Sequence, residues 1–305
     1  MTVKVSICIA TYKRPHGLER LMEGINRLKF NKITLPDIEV IVVDNDASGS
    51  AQNLCDRIKT EFKWPLKYDI EPTQGVTFAR NRAIKNSSKQ SNFIVMIDDD
   101  EVPRSNWLEE FLLTQQKYDA DIVTGPVFPC FEEQDLPEWI CNGNFFIPRL
   151  HQTGTLLETA FTNNVLVRAE RLKKLNVIFD QRFAIKGAED THLFMRLHSQ
   201  GYKIVWANEA IVDEWIPPSR TNLKWILQRG YWGWSSYSFI ETDIYSSSKY
   251  WLMRFLKGAV LIGLGVVSFV PAIIQGKHKL VSALLSIYRG LGTISGLFGL
   301  QGQWK

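Results

Sequence analysis

Four short apolar runs, at residues 3–10, 38–43, 66–70 and 93–97, each end in polar residues and alternate with segments of helical spacing. This rhythm limits the possible folds more than any other feature of the chain. Between the first two runs, Leu18, Leu21, Met22, Ile25 and Leu28 recur at intervals of three and four, the period of a helix with one buried face. Leu54, Ile58 and Phe62 mark a second helix, and residues 77–86 after Gly75 a third. Strand–helix alternation predicts a largely parallel sheet with right-handed crossovers. A chain of 305 residues can bury a large core, as one domain or as a domain with an appendage.

The fourth run ends in Ile97-Asp98-Asp99-Asp100-Glu101. Open α/β sheets bind ligands where parallel strands end. Four adjacent carboxylates repel, and a divalent cation among them relieves the repulsion. On an extended backbone Asp98 and Asp100 share one side. The same run also suits a solvated acidic turn before a helix capped at Ser105 or Asn106. Asp44 ends the second strand, where it either accepts hydrogen bonds from a ribose or base N–H or closes an Asx turn. Arg80 and Arg82 lie on the helix after Gly75; Arg80 either reaches a diphosphate or is an exposed arginine. Asp190 opens a later helix, as its cap or as a general base facing a cleft. Further strands are expected at 122–127, 161–167, 203–206 and 210–213, and an aromatic-rich helix at 223–240. Contacts that select a substrate are expected from residues 129–147 and from Asn163 and Asn164.

Cys8, Cys55, Cys130 and Cys141 form no C-x-x-C pair. This argues against a zinc site or disulfide scaffold and suits a reducing compartment. Residues 5–10 are too short for a signal-peptide core. Seven of the 36 Lys and Arg, and none of the 32 Asp and Glu, follow Asp243. The body is therefore slightly acidic and not a nucleic-acid binder. Residues 258–274 carry no charge and 280–300 only Arg289, each near the lower limit for a bilayer span. Gly and Pro are frequent there, and Gly292-x-x-x-Gly296 matches a helix-packing motif. A spanning hairpin would put the basic loop 276–279 on the far side, against the positive-inside tendency. A re-entrant or interfacial hairpin is the expected form, with a helical pair packed on a soluble domain as the alternative. The expected division is residues 1–245 and residues 246–305.

In order and spacing, the segments 6–15, 42–46, 75–81, 97–101 and 187–190 resemble those of family 2 glycosyltransferases. A looser likeness is to bacterial glucosyltransferases that build succinoglycan-type exopolysaccharide. The resemblance implies the α/β fold called GT-A: a Rossmann-like mixed sheet flanked by helices, here with a C-terminal membrane-associated hairpin. It implies that Thr11, Tyr12 and Arg14 line a nucleotide pocket, that Asp44 meets the base, and that Arg80 meets the nucleotide. Asp98-Asp99-Asp100 is the D-x-D motif by this likeness. Asp100 would bind Mg2+ or Mn2+ on the donor diphosphate and Asp98 would lie by the ribose and sugar. Asp99 and Glu189 are counted with the substrate-binding residues, and Asp190 is the catalytic base.

The activity so implied is inverting, metal-dependent transfer of one sugar, glucose by the looser likeness. The donor would be a nucleotide-sugar, UDP-linked. The acceptor would be a glycan or a polyprenyl-diphosphate-linked glycan at the cytoplasmic face of a bacterial inner membrane. Processive members carry Q-x-x-R-W; here Gln228-Arg229-Gly230-Tyr231-Trp232 has tyrosine in the arginine place, which points to one sugar per encounter. A nucleotidyl- or phosphotransferase also needs acids and a metal, but no P-loop is present. A non-catalytic nucleotide-binding scaffold would have no use for Asp98, Asp100 and Asp190 together.

Overall fold

A computed structural model describes residues 2–133 and 135–300; Lys305, one of the seven late basic residues, lies outside them. The chain forms two units. The first comprises Met1–Pro129, Pro148–Ala184 and His192–Trp215, the second Cys130–Ile147, Ile185–Thr191 and Ile216–Lys305. In chain order the elements begin β1 (Lys4–Thr11), α1 (Pro15–Asn26), β2 (Asp37–Asp44), α2 (Gln52–Ile58), β3 (Leu66–Ile70), α3 (Val76–Asn86), β4 (Phe93–Ile97) and β5 (Glu101–Pro103). There follow α4 (Trp107–Tyr118), β6 (Ile122–Thr124), β7 (Val127–Phe131), α5 (Glu138–Gly143), β8 (Leu156–Leu157), β9 (Asn164–Arg168) and α6 (Ala169–Lys173). The last are α7 (Glu189–Ser199), β10 (Ile204–Trp206), β11 (Val212–Ile216), α8 (Leu223–Tyr245), α9 (Ser248–Gln275) and α10 (Lys277–Leu297).

The main sheet has the order β3-β2-β1-β4-β9-β6-β10-β8. The first four strands are parallel, as the alternation predicts. The sheet as a whole is mixed, because β9 runs antiparallel to β4 and β6. Asn164 pairs with Ile97, so the chain re-enters beside the end of β4 and must run back along it. The strand expected at 122–127 is cut into β6 and β7 at Gly125-Pro126, since proline cannot donate to a ladder. A smaller sheet has the order β5-β11-β7.

Alternation along the strands fills both faces of the main sheet. Ile7, Val40, Val42 and Val95 pack with Leu18 of α1 and Trp107 of α4 on one face. Ile41, Val43, Ile94 and Met96 pack with Ala79 of α3 and Phe194 of α7 on the other. Loops at the strand ends thereby gain a rigid support on both sides.

In the second unit α10 packs against both α8 and α9. The two apolar runs lie inside α9 and α10, which are longer than the runs themselves. Both helices are long and apolar enough to cross a membrane by length and composition. The G-x-x-x-G pair faces α8: a Cβ on Gly292 would lie 2.3 Å from the Tyr231 carbonyl oxygen, and one on Gly296 2.2 Å from that of Ser235. Gly290 approaches the Gly258 carbonyl of α9 as closely, with a Cβ 2.6 Å away. These helices meet backbone to backbone, the contact small residues permit.

Candidate active site

The acidic run is a turn rather than an extended segment. Glu101 N–H donates to the Asp98 carbonyl oxygen at 3.2 Å, so the three aspartates occupy different corners and reach different partners. Arg80 Nη2 on α3 donates to Asp98 Oδ1 at 2.6 Å. Arg14 Nη1, just before α1, donates to Asp99 Oδ1 at 3.1 Å and Asp100 Oδ2 at 3.0 Å. Thr11 Oγ1 at the end of β1 donates to Asp99 Oδ2 at 2.8 Å. Thr11, Arg14, Arg80 and the three aspartates are thus brought together at the ends of β1 and β4.

Two acids in this turn are buried. Burial, together with the charges of Asp100 and Asp98, pushes the Asp99 carboxyl up to about 6, against the pull of Arg14. Burial, with Asp98, Glu214 and Asp100 nearby, pushes Glu101 well above the usual carboxylate range. Its Oε2 accepts from the Asp98 N–H at 3.2 Å and so braces the turn from within. Burial works against the Arg14 guanidinium, but Asp99 and Asp100 leave its pKa above the ordinary arginine value.

Asp44, expected to meet a base, stands at the end of β2. It is fully buried and accepts from Ala51 N–H at 2.7 Å, Asp46 N–H at 2.9 Å and the Tyr68 hydroxyl at 3.1 Å. The carboxylate closes the β2–α2 turn, which is the Asx-type role left open by the sequence. Asn164 is also inward, accepting from Trp107 Nε1 at 2.7 Å and donating to the Pro126 and Ala210 carbonyls. It latches β9 to the core. Arg82 pairs with Asp69 and Glu71. Tyr12 is exposed, its hydroxyl 3.4 Å from Gln74 Nε2.

Asn45, just after β2, carries a role that motif and spacing do not reveal. Its Nδ2 donates to the Glu71 and Thr73 carbonyls, and its Oδ1 accepts from Gly75 N–H at 2.7 Å. It buckles the 71–75 loop that launches α3 and with it Arg80. Gly75 has φ of 137°, which L side chains resist, and the glycine before a helix was the one legible signal. Glu189 and Asp190 form the first turn of α7 and belong to the second unit. Glu189 is buried; Asp190 is half-buried, and its Oδ1 accepts from Thr191 N–H at 2.6 Å.

Among the described residues no three His, Cys, Asp or Glu side chains converge as a metal cage. The donor set still fits a hard cation that takes most of its shell from a substrate, since Mg2+ commonly uses one or two carboxylates plus phosphates. The Asp100 carboxylate, partly exposed beside an anion-rich turn, meets that requirement.

An acidic turn beside two arginines, at the carboxyl ends of a mixed sheet's parallel strands, fits the GT-A class of glycosyltransferase folds. Solved structures agree. TarS from S. aureus in complex with UDP-GlcNAc aligns with TM-score 0.56 and 16% identity over 98% of this chain and 93% of that one. GalNAc-T7 with UDP, GalNAc and Mn2+ aligns with TM-score 0.56 and 13% identity over 78% of this chain and 50% of that one. The chain belongs to glycosyl transferase family 2, whose model matches residues 6–175; that of glycosyl transferase family group 2 matches 93–291. It is 27% identical to the succinoglycan biosynthesis protein ExoM of Rhizobium meliloti (strain 1021), over 98% of this chain and 94% of that protein.

Proposed function

We propose that this glycosyltransferase moves one sugar, with inversion, from a UDP-sugar to a lipid-linked glycan in bacterial surface polysaccharide synthesis. The observation that carries this is the Asp98–Asp100 turn held between Arg14 and Arg80. Sugar transfer leaves a diphosphate, and a cation at Asp100 would neutralise the charge growing there. Arg14 and Arg80 are long enough to exchange carboxylate oxygens for phosphate oxygens, which bind arginine in the same geometry. Asp98 would orient the ribose and sugar, and Tyr12 offers an exposed ring beside the base. Thr11 and Asp99 hold Arg14 in register, and Asp44 acts by fixing the turn after β2. Asp190 would take the proton of the acceptor hydroxyl, and Glu189 beside it would contact the substrate. Transfer from the face opposite the leaving group then inverts the anomeric carbon. ExoM's role in succinoglycan biosynthesis supports the polysaccharide setting, and glucose is proposed on the looser sequence likeness alone. The UDP-sugar in TarS supports the donor.

The hairpin supports a membrane-bound acceptor at the cytoplasmic face, where nucleotide-sugars are made. Lys277 at the turn between α9 and α10 lies 4.9 Å from the Trp139 ring of α5. Val281 and Leu285 of α10 pack with Ile226 and Leu227 of α8. A turn held on α5 supports insertion from one side, as an interfacial hairpin, rather than two spans. Residues 1–245 would then supply the catalytic part and 246–305 the lipid contact.

The test is incubation of detergent-solubilised protein with labelled UDP-sugars and a lipid-linked acceptor, with EDTA and then with Mn2+ or Mg2+. Sugar transfer that stops with EDTA and returns with metal is the expected result. Nucleotidyl transfer, or donor binding without any transfer to any acceptor, would overturn the assignment.

A further inference from the structure

The chain enters α7 through two consecutive residues in the left-handed region, Gly187 with φ of 75° and Ala188 with φ of 69°. Glycine accepts this conformation; alanine, with its Cβ, resists it and keeps it only where its surroundings enforce it. The pair turns the backbone immediately before Glu189 and Asp190. What enforces it is visible in the same unit. Trp232 Nε1 on α8 donates to the Lys186 carbonyl oxygen at 2.9 Å. A Cβ on Gly187 would sit 2.9 Å from Cζ2 of Trp232, so the indole closes the space a side chain would need. Trp232 is itself fixed, because α10 meets the α8 backbone at the neighbouring Tyr231 and Ser235 carbonyls through Gly292 and Gly296. The tryptophan of the Q-x-x-R-W-like stretch is engaged with the protein's own loop.

We infer that Trp232 is a positioning residue: its indole holds the left-handed 187–188 pair so that Asp190 keeps the orientation that transfer requires. This rests on the reading of Asp190 as the base. Trp232 acts through Asp190 and touches no reacting atom in this account. It also gives the helical unit a part in the reaction besides anchoring, since the α8–α10 contact sets where the indole stands.

The experiment is a double-mutant cycle on full-length protein in detergent, with Trp232→Phe and Asp190→Asn, alone and together. Phenylalanine keeps an aromatic ring and removes the N–H. Asp190→Asn alone is expected to lower kcat about 10²-fold, the usual scale for losing a general base. Trp232→Phe alone is expected to lower kcat about tenfold with donor KM and melting temperature unchanged. In the Asp190→Asn background Trp232→Phe should have no further effect, which a merely structural role would not produce. Gly187→Ala, which pushes the loop off the ring, should show the same dependence on Asp190. Near-normal turnover in Asp190→Asn would remove the underlying reading of the base. A low Asp190→Asn rate with normal kcat in both Trp232→Phe and Gly187→Ala would overturn the inference alone. So would an equal loss from Trp232→Phe in both backgrounds.

Discussion

Ile7, Val42 and Val95 in the sheet-bearing unit have no exposed surface, whereas Val267 and Ile274 of α9 are 76% and 90% exposed. The first unit buries its branched apolar residues in two layers and keeps the acidic turn and its arginines at the ends of β1 and β4. The helical unit reverses this. Glycines fill its helix contacts, large apolar residues face outward, and an ion pair, Arg254 with Glu241, lies inside with side chains 7% and 10% exposed. Each arrangement is stable only in the right surroundings. Burying apolar area in water drives the first at about 25 cal/mol per Å2. That drive vanishes between helices in lipid, where close backbone packing and paired polar groups must hold them together. The contrast therefore fits the two C-terminal helices as a membrane-associated hairpin.

The sharpest way to break the contrast is to unpair the inner charge. Glu241→Ala leaves Arg254 buried without its carboxylate, although the Tyr237 ring 4.5 Å away remains. We expect a loss of about 3–5 kcal/mol, whereas Glu241→Leu with Arg254→Met together should cost far less. Thermal melts of the detergent-solubilised proteins decide it, and equal losses for the two would mean that the pair contributes nothing. In the sheet-bearing unit the matching charge experiment acts on turnover and not on folding. Asp100→Ala should lower the transfer rate about 10²-fold and weaken UDP-sugar binding only when metal is present, with the melting temperature held. Equal donor affinity with and without metal in the unmutated protein would sink the role given to Asp100.

Packing gives the next smaller effect. Gly296→Leu drives a side chain into the Ser235 carbonyl and should cost about 1–3 kcal/mol, the range for overpacking. An unchanged melting temperature would show that α8 and α10 separate freely. At the lipid surface, Lys257→Gln should weaken binding to anionic vesicles by about 1 kcal/mol, roughly fivefold, in a co-sedimentation assay at low salt. Vesicle binding that ignores lipid charge would leave only the apolar face as anchor. The smallest effect belongs to Glu101. Burial, with Asp98, Glu214 and Asp100 nearby, holds its carboxyl well above the usual carboxylate range. Glu101→Gln preserves an acceptor for the Asp98 N–H and should change stability by less than about 1 kcal/mol. A raised folded pKa in an acid means that the wild type loses stability as pH climbs through it. The glutamine variant should therefore melt less steeply with rising pH, and identical pH profiles would show Glu101 already ionised.

Much of this was written in local pattern. Short apolar runs set β1 to β4, period 3.6 set α1 and α2, and Gly75 marked the start of α3. These signals placed the acidic run at a strand end without any tertiary information, because run length and helical period follow from local backbone geometry. The uncharged runs near the C-terminus likewise declared α9 and α10, since their composition suits few other uses.

Direction and burial of single side chains were beyond that pattern. Asp44 and Asp98 both end strands, yet Asp44 turns inward to Ala51 and Tyr68 while Asp98 meets Arg80. Asn164 looked like a polar contact and is a latch in the core. Nor could the order of residues announce that β9 would run back beside β4, or that Trp232 would meet Lys186, 46 positions away. Such pairings depend on which donors and acceptors the folded chain leaves near each other. That is fixed by long-range packing, where burying a polar group without a partner costs more than any local preference can offset.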